Sequence, residues 1–530
     1  MGLTSTTGRD NVVHQGSVLG RRLGVAPLLL ATFFGLWSLR GVNGSSIADY
    51  DAPRHAMNGA FVLDMFRRWQ LAHPVKFGYW YYSRLPALSL PYHPPVFPTF
   101  EALFFWILGV NQLSSRLTIA FATAVAVLLM NRLVCRSHSS PSLALLVSAC
   151  FFGLPTVQGL SNVIMLELPA LVLVLAAMLH LVPHENIFQT SRSLWFAVFA
   201  ATAIWTKQTA VFLFLLPFVY VLVSGRWSLL RRAYLWIEVG LIGISGLGLA
   251  LLARQLQWNG INQSWPKRSV FQQVAHNWEF CLHYGVAWIA VAGLCLLTYG
   301  LPGGRDDLRR DRIYIAWLFA VMAVLLASPA YSARYAFFAI PPFVVLLCNG
   351  LWRAGRRISR RHEWTLATTV TVLYVACALA NAPLSCLRGP TEAANFLHEG
   401  GYRRILYCGA SNGAFTFAIR SKDPSLSTII IRGDKLPDAT FAPEQLSAFV
   451  WRYGIDAVVL ESVPEPQAWN TLSPEALSFL SLERVVPVAD SVRQTNGSLS
   501  IYRVSRPSKV SEDSLQVPIS VLGREVELRF

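Results

Sequence analysis

From residue 24 to residue 381 the chain alternates blocks of mainly apolar residues with short polar breaks. A helix needs about 20 such residues to cross a hydrocarbon core, fewer where neighbours cover its ends. The pattern predicts spanning helices over 24–40, 114–131, 143–160, 164–182, 194–206, 208–223, 234–253, 283–300, 313–328, 335–352 and 364–381. A shorter apolar block, 96–109, follows the proline-rich run Pro91–Pro98 and suits a juxtamembrane helix better than a span. The blocks 194–206 and 208–223 are broken at Trp205–Gln208. Lipid tolerates such a break only where protein or a water-filled cavity satisfies the backbone.

Beyond residue 385 the pattern changes. Arg404–Cys408, Ser427–Arg432 and Asp456–Glu461 read as buried strands, with helical character at Gly413–Ile419 and Pro443–Tyr453. Val485–Val504 reads as a closing hairpin turning at Asn496-Gly497. Gly409-Ala-Ser-Asn-Gly413 follows the first strand but lacks the GxGxxG spacing, so an ordinary strand-to-helix turn is preferred to a nucleotide site. The expected fold is a polytopic α-helical membrane protein of about eleven spans plus juxtamembrane helices, with a C-terminal soluble α/β domain. Its parts are a cytoplasmic N-terminus (1–23), a membrane domain (24–385) with a first external loop (41–95), and an external domain (386–530).

Composition agrees: 54% of residues are hydrophobic and 14% charged, with a mean hydropathy of +0.43, which is a membrane composition. The net charge of +16 raises nucleic acid as a partner, but no nucleic-acid motif occurs and the arginines cluster between apolar blocks. They group at Arg132/Arg136, Arg226/Arg231/Arg232, Arg305/Arg309/Arg310/Arg312 and Arg353/Arg356/Arg357/Arg360/Arg361. Cytoplasmic loops concentrate Lys and Arg. If 96–109 does not span, all these groups share the side of the N-terminus, and the short opposite loops 161–164 and 329–334 carry only Arg334. That parity puts the first loop, the loop 254–282 and the tail outside a bacterial-type inner (plasma) membrane. Residues 1–23 end in Arg21-Arg22 ahead of the apolar run Gly24–Leu39; without a small-x-small cleavage site this reads as an uncleaved signal anchor. Of the eight cysteines, only Cys386 and Cys408 lie in the polar tail, where an oxidising compartment would permit a disulfide.

Candidate chemistry lies in the first loop, where Asp49, Asp51, Arg54 and His55 follow the first span. A carboxylate there can take a proton from a nucleophile; equally, Asp49 or Asp51 can cap a helix over Pro53–Phe66. Downstream come Tyr92-His93-Pro94-Pro95, Glu167 at the head of a span, Lys207 at the helix break, and Arg334-Tyr335. A charge at the centre of the bilayer costs on the order of 2.5–3.5 kcal/mol. The predicted topology gathers Asp49, Asp51, His93, Glu167, Lys207 and Arg334 on the external side, which predicts a shared polar cavity.

The order of these features, over about 24–352, resembles the polyprenol-phosphate-dependent GT-C glycosyltransferases of the protein O-mannosyltransferase and aminoarabinose transferase group (glycosyltransferase family 39-like). The matching elements are Asp51, His93-Pro94-Pro95, Gly109…Arg116-Leu117, Glu167, Lys207 and Arg334-Tyr335. The resemblance implies a sugar donor on a polyprenyl monophosphate and inverting transfer to a hydroxyl of a glycan, lipid or protein acceptor at the outer face. Asp51 or Asp49 would be the base, and Arg334 and Lys207, with Arg54 and His55, would hold the donor phosphate. His93, Glu167, Tyr335 and Tyr92 would position substrate. No obligatory metal is expected, because Arg and Lys can meet the charge of a monophosphate; a divalent ion has no support in ligand spacing. Two departures stand out: the family has Asp-Glu where this chain has Asp51-Ala52, and a Lys in the aminoarabinose enzymes where His93 stands here. The competing expectations are a secondary transporter, with a midplane site between related halves, a membrane glycan ligase or polymerase, and a membrane scaffold with a sensory tail.

Overall fold

The computed structural model describes residues 24–42, 46–48, 51–90, 93–181, 193–255, 304–328, 333–358, 363–462, 477–505, 515–519 and 524–528, with isolated positions 269, 271, 272, 275, 299 and 469 between them. Asp49, Tyr92, the N-terminal 1–23 and nearly all of the expected span 283–300 lie outside the described residues.

Helix α1 (Val25–Trp37) leads into two helices of the first loop, α2 (Ala52–Arg67) and α3 (Pro74–Arg84). After α4 (Val96–Leu108) comes α5 (Gln112–His138), which starts at a reciprocal cap: Asn111 accepts from the Ser114 amide and Ser114 Oγ accepts from the Asn111 amide. Then follow α6 (Pro141–Gly153), α7 (Pro155–Ser161), α8 (Glu167–Leu181), α9 (Leu194–Ile204), α10 (Phe212–Ser224), α11 (Ala233–Gln255), α12 (Gly304–Ala327), α13 (Ile340–Ile358) and α14 (Glu363–Ala380).

Among the described residues, three helical stretches are long and apolar enough to cross a membrane: Gln112–His138, Ala233–Leu252 and Arg334–Arg353. The pair α6–α7, bent by 70°, forms a fourth, either as a broken span or as a re-entrant loop. Val25–Trp37, Val96–Leu108, Glu167–Leu181, Leu194–Ile204 and Gln208–Ser224 are apolar but shorter. The continuous windows expected from the sequence are thus interrupted, at Leu154-Pro155 because proline removes an amide donor, and at Trp205–Gln208 as anticipated. Large apolar side chains such as Leu29, Trp106, Ile107, Ile244 and Leu247 stay exposed on these helices, as a lipid-facing surface requires.

The C-terminal domain contains a six-stranded sheet. Its strands are β1 (Leu387–Arg388), β2 (Arg404–Cys408), β3 (Ile429–Arg432), β4 (Ala457–Glu461), β5 (Leu480–Asp490) and β6 (Thr495–Val504), in the order β1-β5-β6-β4-β2-β3. β2 pairs in parallel with both β3 and β4. The helices are α15 (Pro390–Glu399), α16 (Asn412–Lys422) and α17 (Pro443–Arg452). β2 to β4, α16 and α17 fall within a few residues of where their patterns put them.

One expectation fails here. The hairpin turns at 491–494, not at Asn496-Gly497, which lies inside β6 opposite Val488 and Ala489. Gly497 is needed there for another reason: a Cβ would overlap the carbonyl of Ser462, which runs alongside. Cys386 and Cys408 are separate free thiols, Cys408 being buried at the end of β2 under Gly433.

This domain rests on the first-loop helices. Arg420 of α16 grips Asp64 of α2 through both carboxylate oxygens, at 2.8 and 2.6 Å, and Tyr81 of α3 donates to the same carboxylate at 2.9 Å. Arg68 and Arg84 donate to the carbonyls of Ser425 and Leu426, and Arg432 donates to that of Pro86. Arg116, part of the family-like pattern, donates to the carbonyl of Ser385 and so serves the linker between the two parts.

Candidate active site

Helix α2 begins at Asp51, which occupies the N-cap position but makes no side-chain cap. Its carboxylate instead accepts from Arg334 Nη2 at 2.8 Å, so the capping explanation of Asp51 gives way to an ion pair between residues 283 positions apart. Arg334 stands in a 3₁₀ turn, Ala333–Ala339, that leads into α13. At the break between α9 and α10, Lys207 takes an extended conformation and its Nζ donates to Glu167 Oε1 at 2.7 Å. Glu167 is fully buried at the start of α8, and its Oε2 has no hydrogen-bond partner among the described residues.

The two ion pairs share one location. The Tyr335 ring lies 5.8 Å from Lys207 Nζ and 5.9 Å from the Arg334 guanidinium, and Glu167 and Arg334 are close enough for their charges to interact. His55, on the first turn of α2, meets His93 edge to face with ring centroids 4.3 Å apart. Both rings lie in the field of Lys207 and Arg334. The structure therefore gathers Asp51, His55, His93, Glu167, Lys207, Arg334 and Tyr335. Arg54, whose charge still reaches Asp51 and His93, lines a cavity against the C-terminal domain that includes none of those residues. Among the described residues no group of three or more His, Cys, Asp or Glu side chains is placed to hold a metal ion.

Electrostatics fix the protonation states. Burial works against the Asp51 charge, but the hydrogen bond and charge of Arg334 outweigh it and hold the carboxyl below its usual range. Burial pushes His55 down to about 4, against a partial pull from Asp51. His93 is pushed well below its ordinary value by burial and then by His55 and the nearby cations. Near neutral pH Asp51 is thus a carboxylate and both imidazoles are neutral, beside Arg334 and the Lys207–Glu167 pair. The protein should keep an activity that is flat between about pH 5.5 and 8, without the inflection near 6.5 that an ordinary histidine would impose. A pH–rate profile of kcat/KM checks this, and a limb centred near 6.5 would show that one imidazole titrates as in water.

Sequence reading missed the Asp64–Arg420–Tyr81 junction, since nothing local signals a contact between positions 64 and 420. It also took Asp311 as part of a basic loop. In the structure Asp311 is buried among His138 Nε2 (2.8 Å), Asn349 Nδ2 (2.9 Å) and Tyr299 OH (2.7 Å), a knot tying α5, α12 and α13.

The structure thus sets a largely helical, apolar domain beneath an α/β domain, with two buried or half-buried ion pairs against the helices of the first loop. Residues 86–258 match the family model described as dolichyl-phosphate-mannose-protein mannosyltransferase. The fold is similar to that of ArnT from Cupriavidus metallidurans, solved bound to undecaprenyl phosphate: TM-score 0.55 at 13% identity, covering 89% of this chain and 97% of that one. The Archaeoglobus fulgidus oligosaccharyltransferase aligns with a TM-score of 0.49 at 10% identity, covering 91% of this chain and 74% of that one. No curated protein matches by sequence. The chain therefore has an ArnT-like fold, and the stretch that matches the family model holds His93, Glu167 and Lys207.

Proposed function

We propose that this protein is an integral membrane glycosyltransferase that moves a sugar from a polyprenyl monophosphate to an acceptor hydroxyl, with inversion, at the outer face of an inner (plasma) membrane. The observation that carries the reading is the Asp51–Arg334 contact at 2.8 Å, beside the Lys207–Glu167 pair. It puts a proton acceptor and two phosphate-seeking cations within one site. ArnT was solved bound to undecaprenyl phosphate, and a monophosphate is the charge that Arg334 and Lys207 suit.

The ligand-free arrangement also supplies a sequence of events. Without donor, Asp51 and Arg334 neutralise each other. An incoming donor phosphate competes for the Arg334 guanidinium, which offers several donors at once, and so frees the Asp51 carboxylate. Asp51 then takes the proton of the acceptor hydroxyl while that oxygen bonds to the anomeric carbon. The bond from that carbon to the phosphate oxygen breaks, and the electron pair leaves with the lipid phosphate. Charge grows on the leaving phosphate, and Arg334 and Lys207 stabilise it where it forms. Glu167 holds Lys207 in place, and the neutral His55 and His93 line the approach. Asp49 remains the second candidate base. The outward orientation is supported by the clustering of arginine at the opposite ends of the predicted spans.

A donor-release assay tests the reading. Purified protein incubated with a panel of polyprenyl-phosphate sugars should free lipid phosphate from one of them in an acceptor-dependent way. Vesicle flux of a solute without any lipid phosphate release would support the transporter reading instead.

A further inference from the structure

Between the start of α2 and the C-terminal domain lies a cavity of about 230 Å³ that plays no part in the mechanism above. Its lining comes from distant segments: Arg54 of α2, the loop and first turn Gly409–Ala414, Asp434 after β3, Trp469 after β4, and Arg493 beyond β5. In the sheet, β2 sits between β3 and β4, so the chain leaves β2 to one side and later returns to the other. Open α/β sheets bind ligands outside the carboxyl ends of the strands at such a reversal. The cavity occupies that place.

The groups still unsatisfied there are donors. Arg54 makes no hydrogen bond or close ion pair among the described residues, although the charges of Asp51 and Asp434 reach it and that of Arg432 repels it; Arg432 is paired with Asp434 at 2.6 Å and Arg493 stands by Asp490 at 3.5 Å. Trp469 is only 6% exposed, and its indole N–H has no acceptor among the described residues. Helix α16 opens into the cavity with no side-chain cap, because Ser411 spends both its hydroxyl and its amide on Glu461, at 2.7 and 2.8 Å. A guanidinium without a hydrogen-bond partner, a buried N–H lacking an acceptor and an uncapped helix start all suit the same thing, a group rich in negative oxygen.

We infer that this cavity binds an oxyanion, a phosphoryl or carboxylate group, carried by the acceptor saccharide. The acceptor role rests on the transferase reading; the oxyanion site does not. Arg54 and Asp51 lie three residues apart at the start of one helix, so their side chains emerge roughly 5–6 Å from each other. An anion held by Arg54 therefore sits about one sugar ring from a hydroxyl at Asp51. The cavity is smaller than the roughly 300–1,000 Å³ of sites that enclose whole drug-sized ligands, so it receives a charged substituent rather than a nucleotide.

The test is calorimetric titration of the full-length protein in neutral detergent with inorganic phosphate and with glucuronate, at constant ionic strength. At least one probe should bind saturably. Arg54→Gln and Trp469→Phe should each weaken it by about tenfold or more, as expected for lost hydrogen bonds to a charged group. Arg484→Gln, which removes an exposed ion pair with Glu392, should leave it unchanged. No saturable binding of either probe overturns the site, as does equal binding by wild type and both cavity variants. Lipid-phosphate release is measured on the same preparations. Release without anion binding leaves the transferase standing and removes this site. Anion binding without release from any donor leaves the site standing and removes its role in acceptor recognition.

Discussion

Asp51→Asn should lower sugar transfer by about 10²- to 10⁴-fold, the usual contribution of a positioned general base. Asparagine keeps the shape of the side chain and still accepts a hydrogen bond from Arg334, but it cannot take the acceptor's proton. The loss should fall on kcat. Donor KM should hold or drop, because Arg334 no longer has a carboxylate to compete with the donor phosphate. Folding should suffer little: the pair is a quarter to a third exposed, and ion pairs in that condition contribute at most about 1 kcal/mol. Steady-state kinetics with lipid-phosphate detection, alongside thermal midpoints, separate the two effects. Asp49→Asn serves as the internal comparison. Should Asp51→Asn transfer within threefold of wild type while Asp49→Asn fails, the base is Asp49.

What the sequence disclosed and what it hid divide on physical lines. A charge beside an apolar block is expensive, and the predicted common side of Asp51, Glu167, Lys207 and Arg334 made a shared polar cavity legible. Their pairing with one another was not legible; the structure shows it as two ion pairs. Direction within a helix turn was not legible: Arg54 and His55 are consecutive, yet His55 joins the ion pairs and Arg54 faces the C-terminal domain. The strands β2, β3 and β4 were legible because parallel strands covered on both faces read as unbroken apolar runs. The hairpin turn was misplaced because Asn-Gly marks a turn only in the absence of other demands on the glycine. At Gly497 the passing Ser462 carbonyl makes that demand. Trp469 carried no signal at all, since its meaning depends on a cavity formed by segments from five other parts of the chain.

The largest expected loss of stability belongs to the Asp64–Arg420 junction. Both side chains are 4% exposed or less, and the guanidinium meets the carboxylate with two hydrogen bonds while Tyr81 supplies a third. Asp64→Ala would leave a buried guanidinium without its counter-charge, and Arg420→Ala the reverse. Removing one member of such a pair costs about 3–5 kcal/mol, most of it the desolvation of the abandoned charge. The double substitution Asp64→Leu with Arg420→Met should recover most of that, since it removes both charges and fills the space with apolar volume. Thermal unfolding in detergent reads the energy, and protease susceptibility around residues 381–389 reads whether the domain lifts from α2 and α3. The same helix, α16, carries Arg420 near its end and the uncapped turn at its start, and Gly413 there faces Pro53 so closely that an added Cβ would stand 3.2 Å away. Loosening the far end should therefore misplace the near end against Arg54. Single variants at 64 or 420 should lose anion affinity and transfer together, although neither residue touches substrate, and the double variant should regain both. If the single variants unfold no earlier than wild type, the two parts are held by the flanking contacts of Arg68, Arg84 and Arg432, and the buried pair is only a passenger.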